Sequence, residues 1–420
     1  MIIHEPEIIT DSEASIIWSK IEYQSHHEYF PEYLWYRIPT KYEQYISPQS
    51  DAFLVPSLLV GMHIGDNIEV RGAVSPRLAY QINEYQHLLS TRMPDTVRPV
   101  DIKYLQVKTN KVNPQGVGVV FSGGVDSLFS VWKHLPENQV LPEYQITQAL
   151  FVHGFDIMMK DQERYEKLFN RYKRALERYQ IELIPLETNI ASIMAPTMYY
   201  VNLYGPILAG CSLVYGGLFK RMYISSSRDL MMAQVQAYSS TPLSDSLLST
   251  DTLDFIHAGG MYQRIEKLKE ISNWDLAHKH LRICPYPRYS EYGLNCSRCE
   301  KCVRTMLPLY ALGVLDKFKT FAKPLTKNRE SIWMARKFNP SREYHRELFP
   351  FVKEHKPSLL PWINLAMFLG YLRYWFLRLI PGLSKKWLNR FGFFVDPLKQ
   401  KFAMDREDIH QLISDSQECP

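Results

Sequence analysis

The sequence has little excess of either charge and no apolar run of membrane-spanning length. Of its 420 residues, 49 are Lys or Arg and 44 are Asp or Glu, so the formal net charge is only +5. This weak excess lacks the electrostatic footprint of a dedicated nucleic-acid-binding protein. The uncharged stretch 357–372 is shorter than the roughly 20 residues that a spanning helix needs. We therefore expect neither a strong nucleic-acid partner nor a transmembrane segment.

The six cysteines also lack the spread spacing of a disulfide framework. Three of them fall within residues 296–302, a clustering that is typical of a metal site. The N-terminus has early acidic residues and no basic region followed by an apolar segment, so we expect no signal peptide. Clustered thiols without an export signal predict a reducing, cytoplasmic location.

The chain has neither internal repeats nor low-complexity tracts, and its hydrophobic content of 46% is ordinary for a globular protein. At roughly 150 residues per domain, the length predicts two or three domains. Residues 1–112 predict an N-terminal β-rich domain, because short β-rich runs alternate there with turn residues. The predicted strands lie at 14–18, 34–38, 53–60 and 67–70, and a helix is predicted at 75–89.

Residues 113–325 change to apolar strands that alternate with longer helical segments. This alternation predicts an α/β fold, a parallel sheet with helices on both faces. The predicted strands are 117–121, 149–152, 182–186 and 222–225, and the predicted helices are 128–134, 161–179, 204–219 and 263–272.

Residues 326–420 predict a C-terminal helical region rich in aromatic residues. Within it, residues 357–401 carry a basic excess. An amphipathic helix that contacts a membrane surface is one interpretation of this segment. The other is a helical appendage that packs on its own core or on a partner.

The most informative stretch reads Phe-Ser-Gly-Gly-Val-Asp-Ser at residues 121–127, between a predicted strand and a predicted helix. Its glycines allow tight backbone geometry, and the N–H groups at a helix start favour an anion. An aspartate there would repel phosphate, so we expect Mg²⁺ to intervene. The alternative is a glycine-rich turn with an ordinary N-cap. The predicted phosphate-binding residues are Ser122, Gly123, Gly124, Val125, Asp126 and Ser127.

Four cysteines form the second motif, with the spacing C-x11-C-x2-C-x2-C. They are Cys284, Cys296, Cys299 and Cys302. Four thiolates with no open position predict a structural Zn²⁺ site. An iron–sulfur cluster is the alternative, since four cysteines also hold a [4Fe–4S] centre.

The Ser-Gly-Gly-x-Asp-Ser loop resembles the signature of the PP-loop ATP pyrophosphatase superfamily. The resemblance implies a five-stranded parallel sheet of the adenine-nucleotide α-hydrolase type. It also implies that ATP is cleaved between its α and β phosphates, with a substrate oxygen accepting AMP. Asp126 and Ser127 then have catalytic roles in this sequence.

The loop and the four cysteines together resemble the 7-cyano-7-deazaguanine synthase family over residues 116–315. This resemblance implies a carboxylate–amine ligase that adenylates a deazaguanine-like carboxylate and then forms a C–N bond. The nucleophile is ammonia or, as in extended antiphage-defence relatives, an amine of a partner protein. By position, the family's lysine after the substrate loop corresponds to Lys267, which is a candidate catalytic residue and phosphate contact. Arg264, three residues earlier, is a candidate nucleotide-binding residue.

The family's substrate motif is not retained in this sequence. The corresponding region supplies Ser225, Arg228 and Asp245 as candidate substrate contacts. His153 and Asp156 are two further candidates, because they follow the second predicted strand of the parallel sheet, where open α/β sheets bind ligands.

Two other functions remain open. One is a tRNA- or nucleobase-modifying PP-loop enzyme. Sulfur transfer usually needs a reactive cysteine, and outside the four-Cys motif the chain offers only Cys211, in an apolar helical segment, and Cys419. The other is a non-catalytic ATP-binding protein that acts as a sensor or scaffold.

Overall fold

The computed structural model describes residues 1–24, 30–193, 200–229, 239–284, 294–297, 299–322 and 344–365, with residues 368 and 372. Eleven strands form one sheet: β1 Ile2–Ile3, β2 Glu7–Thr10, β3 Ala14–Glu22, β4 Tyr33–Pro39, β5 Ile68–Val74, β6 Ile102–Val107, β7 Gly116–Val120, β8 Gln148–His153, β9 Glu182–Thr188, β10 Phe219–Ser225 and β11 Asp254–Ala258. The described helices are α1 Asp51–Ile64, α2 Pro76–Arg92, α3 Val125–Lys133, α4 Gln162–Leu176, α5 Tyr200–Leu213, α6 Pro242–Ser246, α7 Arg264–Ile271, α8 Asp275–His280, α9 Glu300–Ala311 and α10 Tyr344–His355.

The sheet is mostly parallel, so the expected α/β class is confirmed. Its order is β11-β10-β7-β8-β9-β4-β3-β1-β5-β6, with β2 beside β3. The five strands from β11 to β9 are all parallel to their neighbours. Antiparallel pairs then lead through β4 and β3 to β1, and β1, β5 and β6 are parallel again.

Two hydrophobic cores lie on opposite faces of the parallel strands. In β8, Ala149 and Phe151 belong to a core that includes residues of α3, α4 and α7, whereas Leu150 and Val152 belong to a core that includes residues of α1, α2 and α5. Successive side chains of a strand point to opposite faces, so this division shows helices on both sides of the sheet. That was the arrangement expected from the alternation of strands and helices.

The prediction of a strand at 53–60 was wrong. These residues belong to α1, in which every residue from Asp51 to Met62 is buried. A continuous apolar run fits a buried helix as well as a buried strand, because neither shows a polar face. The left-handed conformation of Gly65, with φ of +79°, ends the helix.

Residues 1–112 and the strands that follow share one sheet. Strand β4 pairs with β9 through Tyr36 opposite Thr188 and Arg37 opposite Glu187. Helix α1 packs against α5, which follows β9 in the chain. The first 112 residues therefore complete both the sheet and one of its two cores.

Within the described part of the C-terminal region, α10 packs on α7 and α9 through Leu348 and Val352. Residues 366–420, apart from 368 and 372, lie outside the described residues. These include Cys419 and most of the segment 357–401, for which membrane-surface contact was one of two interpretations. Among the helices that the structure describes, none combines the length and the apolar character needed to cross a bilayer.

Candidate functional site

The loop at 121–127 lies where the chain reverses its direction of travel across the sheet. From β7 the chain moves to β8 and β9 on one side, and it then returns to β10 and β11 on the other side. At such a switch point a crevice is expected at the carboxyl ends of the two neighbouring strands, here β7 and β10. In open α/β sheets this switch point is the usual place for a ligand.

The loop backbone is held in an unusual conformation. Gly123 has a φ of +72°, and a Cβ atom added there would lie 2.2 Å from the Tyr172 hydroxyl oxygen. The N–H of Gly124 donates to Ser122 Oγ over 3.3 Å, and the Ser127 hydroxyl donates to the Gly124 carbonyl over 3.2 Å. Only glycine fits position 123, because both its dihedral angle and its space exclude a side chain.

Helix α3 begins directly after this loop. Its N-cap residue is Gly124, so no side-chain oxygen of the N-cap residue competes with an anion for the first-turn N–H groups. The helix dipole adds a positive partial charge at the same end. The local geometry therefore fits the phosphate-binding role predicted for residues 122–127.

Asp126, in the first turn of α3, forms ion pairs with both cations that were predicted from α7. Arg264 Nη1 lies 2.8 Å from Asp126 Oδ2, and Lys267 Nζ lies 3.4 Å from Oδ1. Lys267 Nζ also donates to the carbonyl of Ser226 over 2.5 Å. Positions i and i+3 of a helix share one face, which explains why α7 presents both cations to one carboxylate.

Burial and neighbouring charges have opposite effects on the pKa values of Asp126 and Lys267. Burial raises the pKa of Asp126, but the charges of Arg264 and Lys267 outweigh it, so the pKa lies below its ordinary value. Burial lowers the pKa of Lys267, and Asp126 offsets only part of that effect. The Lys267 side chain is only 1% exposed, and Asp126 contributes the largest compensating negative charge.

Arg304, which the sequence analysis did not single out, adds a third positive charge near Asp126. It lies on α9, the helix whose N-cap residue is Cys299. Glu347 of α10 is affected electrostatically by Arg304 and Arg264, and burial raises its pKa. The sequence signal for Arg304 was its position two residues after Cys302, the last cysteine of the motif.

Arg282 is a second residue that sequence reasoning missed, and it binds the carbonyl groups of the loop. Its N–H donates to the Gly123 carbonyl over 2.7 Å, and its Nε donates to the Ser122 carbonyl over 3.1 Å. Its Nη2 donates to the carboxylate of Asp156, one of the predicted substrate residues. The structure thus connects Asp156 to the loop through Arg282.

Two other predicted substrate residues lie after β10 or at its end. The Ser225 hydroxyl donates to Ser130 Oγ of α3 over 2.8 Å, so it faces the same side of the sheet as the loop. Arg228 is half-buried, and its N–H donates to Ser226 Oγ over 3.3 Å. Both therefore lie beside the crevice.

The remaining two predicted substrate residues are internal. His153 is fully buried, stacks on Tyr165 and contacts the Met158 carbonyl through Nε2 at 3.0 Å. Asp245 is also fully buried, and its Oδ2 lies 2.7 Å from His257 Nδ1. These contacts give His153 and Asp245 structural partners, so the proposed site does not include these two residues.

The four predicted metal ligands come together. Their Sγ atoms all lie within 4.8 Å of one another. The distance from Cys296 to Cys302 is 3.7 Å, and that from Cys299 to Cys284 is 3.9 Å. A tetrahedron of thiolates at about 2.3 Å from Zn²⁺ has sulfur–sulfur edges of about 3.8 Å. The site can therefore hold a single metal ion such as zinc.

The close packing of the four thiols raises the pKa values of two of them. Hydrogen bonding to Cys284 is the largest of the effects that raise the pKa values of the Cys299 and Cys302 thiols. A metal ion reverses this, because it binds thiolates and displaces their protons. By contrast, Cys211 is a lone thiol of α5 whose pKa is raised by burial, which makes it unreactive.

Comparison of the chain with protein-family models, with curated proteins and with solved structures finds no match. What the site does is therefore inferred from its own residues and their geometry.

Proposed function

We propose that the protein is an ATP-dependent carboxylate–amine ligase of the PP-loop type. It adenylates a carboxylic acid, releases pyrophosphate and then joins the acyl group to an amine. The observation that best supports this proposal is the position of the loop at 122–127, at the switch point of the sheet. Asp126 of this loop forms ion pairs with the cations Arg264 and Lys267.

The proposed reaction has two balanced steps. A carboxylate oxygen of the substrate attacks the α-phosphorus of ATP, and the bond to the β-phosphate oxygen breaks to release pyrophosphate. The nitrogen of ammonia or of a partner protein's amine then attacks the acyl carbon. AMP leaves with the bonding electron pair, and the nitrogen loses a proton to solvent or to AMP.

The residues of the loop and of α7 have distinct parts in this proposal. The backbone N–H groups of residues 122–127 bind phosphate oxygens, as helix starts commonly do. Lys267 and Arg264 stabilise the negative charge that grows on the departing pyrophosphate. Asp126 holds these two cations in place in the free protein, and binding of Mg²⁺ by this carboxylate stays a prediction.

The acid is proposed to occupy the crevice beside Ser225 and Arg228. Its deazaguanine-like identity, and a role in antiphage defence, follow only from the resemblance in sequence. The four-Cys site, which we propose holds Zn²⁺, is structural in this scheme, because all four ligands come from the protein and no position is left open for substrate.

The test is ATP–pyrophosphate exchange with Mg²⁺ and a panel of carboxylic acids that includes 7-carboxy-7-deazaguanine. We expect exchange that depends on one class of acid. Replacing Lys267 by Met should lower it roughly 100-fold or more, since a charge aimed at the leaving group is lost. Lys269→Met is the matched control, because Lys269 lies on the same helix but is exposed.

Two results would contradict this function. A chain that binds ATP but shows no exchange with any acid would instead favour a non-catalytic nucleotide-binding protein. A chain that binds no ATP at all would remove the phosphate-binding role of the loop.

A further inference from the structure

The four-Cys site and the glycine-rich loop lie at two ends of one short segment, residues 281–284. Cys284 is a candidate metal ligand, and two residues earlier Arg282 contacts the loop. In sequence the loop and this segment are more than 150 residues apart, since Arg282 and Ser122 are separated by 160 positions. The fold therefore places a predicted metal ligand within two residues of the loop's main support.

Arg282 supports the loop with both its backbone and its side chain. Its N–H and its Nε donate to two successive loop carbonyls, those of Gly123 and Ser122. Asp156 neutralises its charge, and the Arg282 side chain is only 5% exposed. A buried and paired guanidinium is suited to holding backbone carbonyls in place and not to binding phosphate itself.

Asn295 fixes the same segment from the metal side. Its Oδ1 accepts hydrogen bonds from the N–H groups of Ile283 at 2.8 Å and Cys284 at 3.1 Å. Its Nδ2 donates to the Leu281 carbonyl over 2.8 Å. Asn295 directly precedes Cys296, so a metal bound by Cys284 and Cys296 would lock both sides of this connection.

We propose that metal binding at the four cysteines holds Arg282 against the loop and so controls the affinity of the loop for nucleotide. Arg282 is the positioning residue of this connection. The identity of the ligand rests on the proposed function, but the mechanical link between metal and loop does not.

The physical reason is the freedom of a loop with two adjacent glycines. Glycine has more backbone freedom to lose on ordering than any other residue. If the metal is removed, the segment 281–284 loses an anchor, and the fraction of molecules with a binding-competent loop falls. The apparent dissociation constant for nucleotide rises in proportion to that loss.

The experiment uses the full chain loaded with Zn²⁺ and the non-hydrolysable analogue α,β-methylene ATP with Mg²⁺. Two quantities are measured for the wild type and for Arg282→Lys: the affinity for the analogue, and the hydrogen exchange of peptides that cover residues 116–128. We expect Arg282→Lys to weaken binding roughly tenfold and to speed exchange in the loop. Arg174→Lys is the control, because Arg174 is an exposed residue of α4.

Complete removal of the metal risks unfolding the chain. The link between metal and loop is therefore tested through the effect of nucleotide on Zn²⁺ binding. The transfer of Zn²⁺ to a colorimetric chelator is followed with and without the analogue. Coupling free energies are reciprocal, so nucleotide must tighten Zn²⁺ binding by the factor by which Zn²⁺ tightens nucleotide binding. We expect a roughly tenfold effect in the wild type and none in Arg282→Lys.

The outcomes separate this inference from the proposed function. Zn²⁺ transfer that nucleotide does not change, together with unchanged nucleotide affinity and loop exchange in Arg282→Lys, overturns the inference and leaves the ligase proposal intact. If the wild type binds no nucleotide, the ligase proposal fails. Hydrogen exchange and Zn²⁺ transfer then decide the inference together: faster loop exchange with faster Zn²⁺ transfer in Arg282→Lys supports it, and an unchanged value of either overturns it.

Discussion

At Asp126, three partly buried charges depend on one another. Lys267 is almost completely buried, and its main counter-charge is a carboxylate whose side chain is 21% exposed. Removing one partner of a buried ion pair usually costs more than the pair itself contributes, because the other charge is left without compensation. The residue predicted to serve catalysis therefore also contributes to stability.

We predict that Asp126→Asn lowers the free energy of unfolding by about 3 kcal/mol at pH 7. The pKa of Asp126 is lowered on folding from an ordinary value of 3.8, so its stabilising effect is present above that value and is lost as the pH falls through the folded pKa. The difference between wild type and variant should therefore shrink below about pH 4. Denaturant unfolding from pH 7 to pH 3 measures it.

Asp101→Asn is the control for that series. Asp101 is exposed, and its replacement should change stability by less than about 0.5 kcal/mol at every pH. A difference between wild type and Asp126→Asn that stays constant down to pH 3 contradicts the ion-pair account.

The buried pair of Asp245 and His257 is a second case. Burial raises the pKa of Asp245, while His257 and the Ser240 hydroxyl act against that shift. Within the residues that the structure describes, His257 Nε2 and Asp245 Oδ1 have no hydrogen-bond partner. The Nδ1 contact of 2.7 Å is thus the main compensation for a fully buried carboxyl group.

We predict strong coupling between these two side chains. His257→Ala should cost about 3 kcal/mol of stability, because it leaves Asp245 buried without its partner. The double variant with Asp245→Asn should cost less than the sum of the two single variants, with a coupling energy of about 1–3 kcal/mol. Additive costs in a double-mutant cycle of denaturant unfolding would show that the pair is not the stabilising interaction.

At the scale of single elements, the sequence predicted most strands that have a clear apolar pattern and missed those without one. β8 and β9 were found because apolar residues dominate them. β11, Asp254–Ala258, was missed, since it contains a charged residue and a histidine among five residues. α1 was taken for a strand because its polar face is absent: the helix is covered all round by the sheet and α5.

In the candidate site, too, the sequence predicted the residues that form a local pattern and missed the others. The loop and the cysteines were predictable because their residue types and spacing are local in sequence. Arg282 and Asn295 were not, because their importance arises from contacts with residues far away in the chain. Their only sequence signal is position, two residues before one cysteine and one residue before another.

Within the loop, we predict that Gly123→Ala lowers the free energy of unfolding far more than Gly313→Ala does. Gly123 and Gly313 both have positive φ, +72° and +73°. An added Cβ at Gly123 would overlap Tyr172, whereas at Gly313 it meets nothing within 4 Å. Both variants should lose about 1 kcal/mol from backbone strain, and Gly123→Ala about 2 kcal/mol more from overlap. Equal losses in thermal or denaturant unfolding would show that Tyr172 yields without cost.

At the scale of the whole molecule, residues 1–112 share a hydrophobic core with residues that follow them in the chain. Phe53 and Leu54 of α1 belong to the same buried cluster as Leu186 of β9 and Ile207 of α5. The antiparallel contact of β4 with β9 continues the sheet across the same boundary. This pairing joins residues about 150 positions apart, such as Arg37 and Glu187, so no local pattern in the sequence predicts it.

We therefore predict that residues 113–420 do not fold without residues 1–112. Alone, the fragment exposes the face of α5 that α1 covers in the full chain and the edge of β9 that pairs with β4. Residues 111–113 are exposed, so a protease site inserted there gives a matched control in which the chain is cut after folding. The cut protein should keep its near-ultraviolet circular dichroism and elute as one species, because the shared core holds the two pieces together. The separately expressed fragment should lack that signal and bind hydrophobic dyes. A fragment that folds with native circular dichroism would instead make residues 1–112 an independent domain and the shared core a secondary contact.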